Sequence, residues 1–131
     1  MATKTGWNRL WHNLQRVALE ELDHIHKQLP LVLRDKALSL PVTLEPKPSL
    51  DLIRDGLEPE LLGLYIGETF AESLSGGDEL PSQIFLFLEN IWDYVGHDTA
   101  DYREEVRITY LHELGHYLGL DEDDLAVRDL D

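Results

Sequence analysis

Apolar residues recur at helical spacing through the first part of the chain: Trp7, Leu10, Trp11, Leu14, Val17, Ala18, Leu22, Ile25 and Leu29. This spacing predicts one long amphipathic helix from about Trp7 to Gln28, closed by Pro30. The two tryptophans on the stripe are read as core. The period then changes. Leu38, Leu40, Val42 and Leu44 alternate with smaller or polar residues, which predicts a strand ending near Glu45. A short helical turn is expected around Leu50–Arg54, and a second strand at Leu61-Leu62-Gly63-Leu64-Tyr65-Ile66. Ser73 to Pro81, with Gly76-Gly77-Asp78, reads as a loop. The continuous apolar run Ile84-Phe85-Leu86-Phe87-Leu88 reads as a third strand covered on both faces.

Asn90 to Tyr94 suits a short helix ending at Gly96. Asp98 or Thr99 then caps a second long helix, about Ala100 to Leu118, whose buried stripe is Val106, Tyr110, Leu111, Leu114 and Leu118. Gly119 ends it, because glycine accepts the left-handed conformation. Asp121 is placed to cap a short final helix. Helices and strands mixed in this way define the α+β class. No repeat, low-complexity segment or long linker divides the chain, so residues 1–131 are expected to form a single domain.

Composition narrows the chemistry. Apolar residues make up 43% of 131, enough for a real core. There is no cysteine, so any metal must be held by His, Asp, Glu or water. Eleven Lys and Arg stand against 26 Asp and Glu, a formal charge of −15, which argues against nucleic acid and anionic membranes as partners. The first residues lack the apolar region of a signal peptide, and no apolar run approaches the ~20 residues that span a bilayer. A soluble, cytoplasmic protein is expected.

The chemistry-bearing stretch is His112-Glu113-Leu114-Gly115-His116-Tyr117-Leu118-Gly119. On a helix, histidines four apart lie on one face a turn apart and can share a metal ion. Glu113 is placed to act on a metal-activated water rather than to bind the ion. The pattern is the H-E-x-x-H signature of zinc hydrolases, extended by Gly119 to H-E-x-x-H-x-x-G. Catalytic zinc uses three protein ligands and one water. The metzincin type of pattern puts the third ligand six residues beyond the second histidine, which is Glu122 here, flanked by Asp121, Asp123 and Asp124. Glu122, Asp121, Asp123 or water can fill that place; the same acids also suit the capped first turn of a helix. Met1 is the only methionine, so the Met-turn of metzincins is absent. His12, His24 and His26 are read as surface or half-buried side chains, whereas His97, Tyr94, Tyr102 and Tyr117 are further candidates to reach the site, His97 as an oxyanion donor.

The segment from His112 to Glu122 resembles the small bacterial zincin-like metallopeptidase family, as do Leu61-Leu62-Gly63-Leu64-Tyr65-Ile66-Gly67 and Gln83-Ile84-Phe85-Leu86-Phe87. The resemblance covers roughly residues 40–125. It implies a minimal zincin fold: a small three-stranded mixed sheet packed on helices, with the motif in a C-terminal helix. It also implies His112 and His116 as zinc ligands and Glu113 as general base. The family usually has Asp where this chain has Glu122. The expected function is zinc-dependent hydrolysis of peptide bonds in a peptide or protein substrate. The alternative is a non-catalytic metal-binding or protein-interaction domain on the same scaffold. Sequence leaves the oligomeric state and the cleavage preference open.

Overall fold

The fold is taken from a computed structural model, which describes residues 4–67 and 82–119. Helix α1 runs Lys4–Gln28, and the short α2 follows at Leu31–Leu38. Strand β1 is Val42–Glu45, α3 is Leu50–Arg54, and β2 is Gly63–Ile66. Strand β3 is Gln83–Phe87, running straight into α4 at Leu88–Tyr94. Helix α5 spans Thr99–Leu118.

The three strands form one mixed sheet in the order β1-β3-β2. β1 pairs parallel to β3, with Val42 opposite Ile84, and β2 pairs antiparallel to it, with Gly63 opposite Leu86 and Tyr65 opposite Ile84. As the central strand, β3 is the most apolar, and Ile84, Leu86 and Phe87 are fully buried. Helix α5 packs on β2 and β3, and α1 packs on α5 and α4. The core joins the stripe Leu14, Val17, Ala18, Leu22, Ile25 of α1 to Val106, Tyr110, Leu111, Leu114 of α5. Tyr102 fastens the two helices by donating from its hydroxyl to the Leu14 carbonyl at 2.8 Å, inside the core. Trp7 and Trp11 stack on each other, both half-buried, and Trp11 packs against the core.

The structure departs from the sequence reading at α2, which was not expected, at Leu61 and Leu62, which precede β2, at Leu88, which opens α4, and at the start of β1. Leu38 and Leu40 do not begin the first strand. Leu38 ends α2 and is largely exposed, while Leu40 is a buried residue of the turn that follows. The alternation that suggested a longer strand joins a helix end to a strand start, with only Val42–Glu45 in the sheet. Pro30 does close α1, but it also serves as the N-cap residue of α2. Among the described residues, no helix is long and apolar enough to cross a membrane. The loop expected at Ser73–Pro81 and the final helix expected after Asp121 fall outside the described residues.

Candidate metal centre

Helix α5 is well specified at both ends. Asp98 is its N-cap, accepting from the Asp101 amide at 2.9 Å. Gly119 is its C-cap at φ +73°, and its amide donates to the Gly115 and His116 carbonyls. The caps set where the helix starts and stops, and its buried stripe of Val106, Tyr110, Leu111 and Leu114 sets its rotation and with it the direction of every side chain between.

His112 and His116 lie on the exposed side of α5, one turn apart. Their Nε2 atoms are 3.2 Å apart and the rings meet edge to face. Two nitrogens each about 2.0–2.1 Å from a tetrahedral zinc ion stand about 3.3 Å apart. The two imidazoles therefore converge at the separation that one ion requires. The Glu113 carboxylate joins them: potential ligand atoms of His112, Glu113 and His116 all lie within 4.8 Å of one another. This donor set of imidazole nitrogen and carboxylate oxygen suits zinc.

Glu113 differs from its neighbours in environment. It is half-buried, and burial raises its carboxyl above the ordinary value, while His116 and His112 pull in the opposite direction. Its side chain lies towards β2, where a Cβ built on Gly63 would stand 3.4 Å from Glu113 Cγ. Leu64 and Tyr65 of β2, with Glu113 and His116, line a cleft of about 360 Å3. The Tyr65 ring packs against Tyr117, and its hydroxyl donates to Ser82 Oγ at 3.1 Å. A larger cavity of about 710 Å3 lies elsewhere, between the segment 58–62 and α4. None of the described residues lining it is a histidine, and the imidazole–carboxylate group sits in the smaller cleft.

Among the other candidates, Tyr117 is buried beside His116 and touches Tyr65. His97 does not reach the site. It stacks on Trp92, bonds to Asp93 at 2.8 Å, and precedes α5; fifteen residues of helical rise put it about 20 Å from His112. Tyr102 is committed to Leu14, and Tyr94 is exposed on α4. His26 is half-buried, 2.7 Å from the Tyr110 hydroxyl. Glu122, Asp121, Asp123 and Asp124 lie outside the described residues. Sequence reasoning read Gly63, Leu64 and Tyr65 only as part of a strand and assigned Thr109 no role; the spacing of Thr109 four residues before Glu113 signals that those two share a face.

A three-stranded mixed sheet beneath a C-terminal helix bearing His112, Glu113 and His116 defines a small zincin-type protein. Residues 38–130 match the family model described as zincin-like metallopeptidase, and the chain belongs to that family. A search of curated proteins finds no match.

Proposed function

We propose that the protein is a zinc-dependent metallopeptidase in which His112 and His116 hold the ion and Glu113 is the general base, with Glu122 as third ligand. The observation that carries this reading is the pair of imidazole nitrogens 3.2 Å apart with a half-buried carboxylate beside them. Zinc, when bound, supplies a Lewis acid that makes a water acidic near neutral pH and withdraws charge from a peptide carbonyl.

Glu113 takes the proton as the water oxygen bonds to the carbonyl carbon, and then delivers it to the amide nitrogen as the C–N bond breaks. The products are one carboxylic acid and one amine, so atoms balance. Burial serves this role: a carboxylate with raised proton affinity is a stronger base and a better carrier. An extended substrate has a place to lie. Among the described residues β2 is paired on one side only, and its Leu64 and Tyr65 border the cleft. A peptide added along that edge would present its carbonyl groups beside Glu113.

The test is a zinc titration by calorimetry of wild type, His116→Ala and Glu113→Gln, each followed by a peptide-library cleavage assay. Wild type should bind one ion and cleave; His116→Ala should lose the ion; Glu113→Gln should keep it and lose cleavage. Full cleavage by Glu113→Gln would remove the base, and zinc bound without any cleavage by wild type would hand the site to the non-catalytic reading.

A further inference from the structure

Thr109, Glu113 and Tyr117 are spaced four apart on α5, so their side chains form one stripe. That stripe faces β2. A Cβ on Gly63 would come within 2.6 Å of Thr109 Cγ2 and 3.4 Å of Glu113 Cγ, and Tyr65 packs its ring against Tyr117. Gly63 and Tyr65 are two apart on the strand and share its inward face. Glu113 is thus bracketed, with the gap at Gly63 on one side and the Tyr65–Tyr117 pair on the other.

The backbone does not explain the glycine, because Gly63 has no positive φ. Space does. Carbon atoms settle about 3.5–4.0 Å apart, so the 2.6 Å separation leaves no room for a methyl group at position 63. The neighbours are also poorly able to yield. Thr109 is buried, its χ1 is restricted by branching, and the Phe85 carbonyl oxygen, 3.3 Å from the same Cβ position, belongs to the central strand.

We propose that Gly63 is a positioning residue for peptide hydrolysis: by bearing no side chain against Thr109, it sets the spacing between β2 and α5 and so the distance from a peptide on the β2 edge to the Glu113 carboxylate. This inference rests on the metallopeptidase reading. A methyl at position 63 must open the strand from the helix by about 1 Å to restore ordinary contact. A misplacement of that size costs about 100-fold in rate. His112, Glu113 and His116 are all on α5, so their mutual geometry is unchanged by the opening; what moves is a peptide held along β2.

The experiment compares wild type, Gly63→Ala and Gly63→Ala/Thr109→Ser, the serine removing the Cγ2 that collides. Turnover is measured per zinc-loaded molecule on a peptide that wild type cleaves, alongside zinc affinity, thermal midpoint and crystal structures. Gly63→Ala should lose about 100-fold in kcat with zinc affinity retained, and the double variant should recover at least about tenfold of it. A purely structural glycine would lower the thermal midpoint and leave kcat per loaded, folded molecule unchanged; that result overturns the proposal, as does a loss of kcat that the serine does not relieve. Should the single variant fail to fold, the double variant carries the test, and folding without turnover overturns it. If wild type cleaves no peptide, the metallopeptidase reading fails separately. The spacing claim is then judged from the crystal structures, where an unchanged β2–α5 separation in Gly63→Ala refutes it.

Discussion

Asn90 offers a quantitative test of how the site strand is held. It sits on α4, nine-tenths buried, and its Nδ2 donates to the Pro59 carbonyl at 2.7 Å and the Leu61 carbonyl at 2.9 Å. These two bonds pin the segment that leads into β2, and β2 lines the cleft beside Glu113 and His116. Asn90→Ala removes both donors. Pro59 is exposed and its carbonyl can return to water, so that loss is about 0.5–1 kcal/mol; Leu61 is half-buried and its stranded carbonyl adds about 1–2 kcal/mol. The total is roughly 2 kcal/mol, or a fall of roughly 5–10 °C in Tm for a domain of this size. Asn90→Asp keeps the shape but turns a carboxylate oxygen towards two carbonyl oxygens, so at neutral pH it should cost more than alanine, about 3–5 kcal/mol. Its folded pKa is then raised above the unfolded value of about 3.9. The sign follows: the protonated acid regains one donor, so the variant's stability is greatest below the unfolded pKa and is lost as pH rises through the folded one. Urea unfolding of the three proteins across acidic to neutral pH measures this. An aspartate variant as stable as wild type at neutral pH, or an alanine variant with no loss, would refute the pinning of β2 by Asn90.

Two further outcomes are expected. His26 is paired with the fully buried Tyr110, and burial lowers its pKa; its stabilising share is therefore complete above the unfolded value of about 6.5 and fades as pH falls through the lower folded value. His26→Phe should be less stable than wild type by about 1–3 kcal/mol at neutral pH, with the gap closing on acidification, and thermal melts showing a gap independent of pH would contradict the assignment. Gly119 has φ +73° with nothing within 4 Å of a built Cβ, so Gly119→Ala should cost about 1–2 kcal/mol from backbone strain alone. Asparagine there should cost less, and equal losses for the two variants in urea unfolding would argue against a left-handed cap.

Local signals made α5 legible. The H-E-x-x-H spacing, the Asp98 cap and the terminal Gly119 all act within a turn or two of chain, and each appears in the structure where the sequence put it. The short turn at Leu50–Arg54 and the three strands were readable for the same reason. Helix α2 was not, because its apolar residues have little sidedness: Leu31, Val32 and Leu38 are exposed and only Ala37 is buried. Nor was the strand order. β1 and β3 pair across some forty intervening residues, and no local pattern reports a contact at that distance. The site was legible to the same degree. Its histidine pair was visible in the spacing, whereas the placement of β2 opposite Glu113 was not.

That division has a physical basis in the helix itself. Successive residues on an α-helix are rotated by about 100°. His112 and His116 return to nearly one direction, and in this fold that direction is the exposed side. Glu113, one step on, is necessarily turned away from it and towards a neighbour, which here is β2. The same 100° that lets one helix carry both imidazoles and the carboxylate therefore requires a second element to cover the carboxylate. An isolated α5 would present the imidazoles but leave Glu113 solvated, with the lower proton affinity of an exposed carboxylate. The burial that raises the Glu113 carboxyl comes from packing against the sheet. α5 and β2, which lies at the sheet edge among the described residues, thus together bring the imidazole pair and the half-buried carboxylate into one cleft, and the contact at Gly63 is where they close on each other.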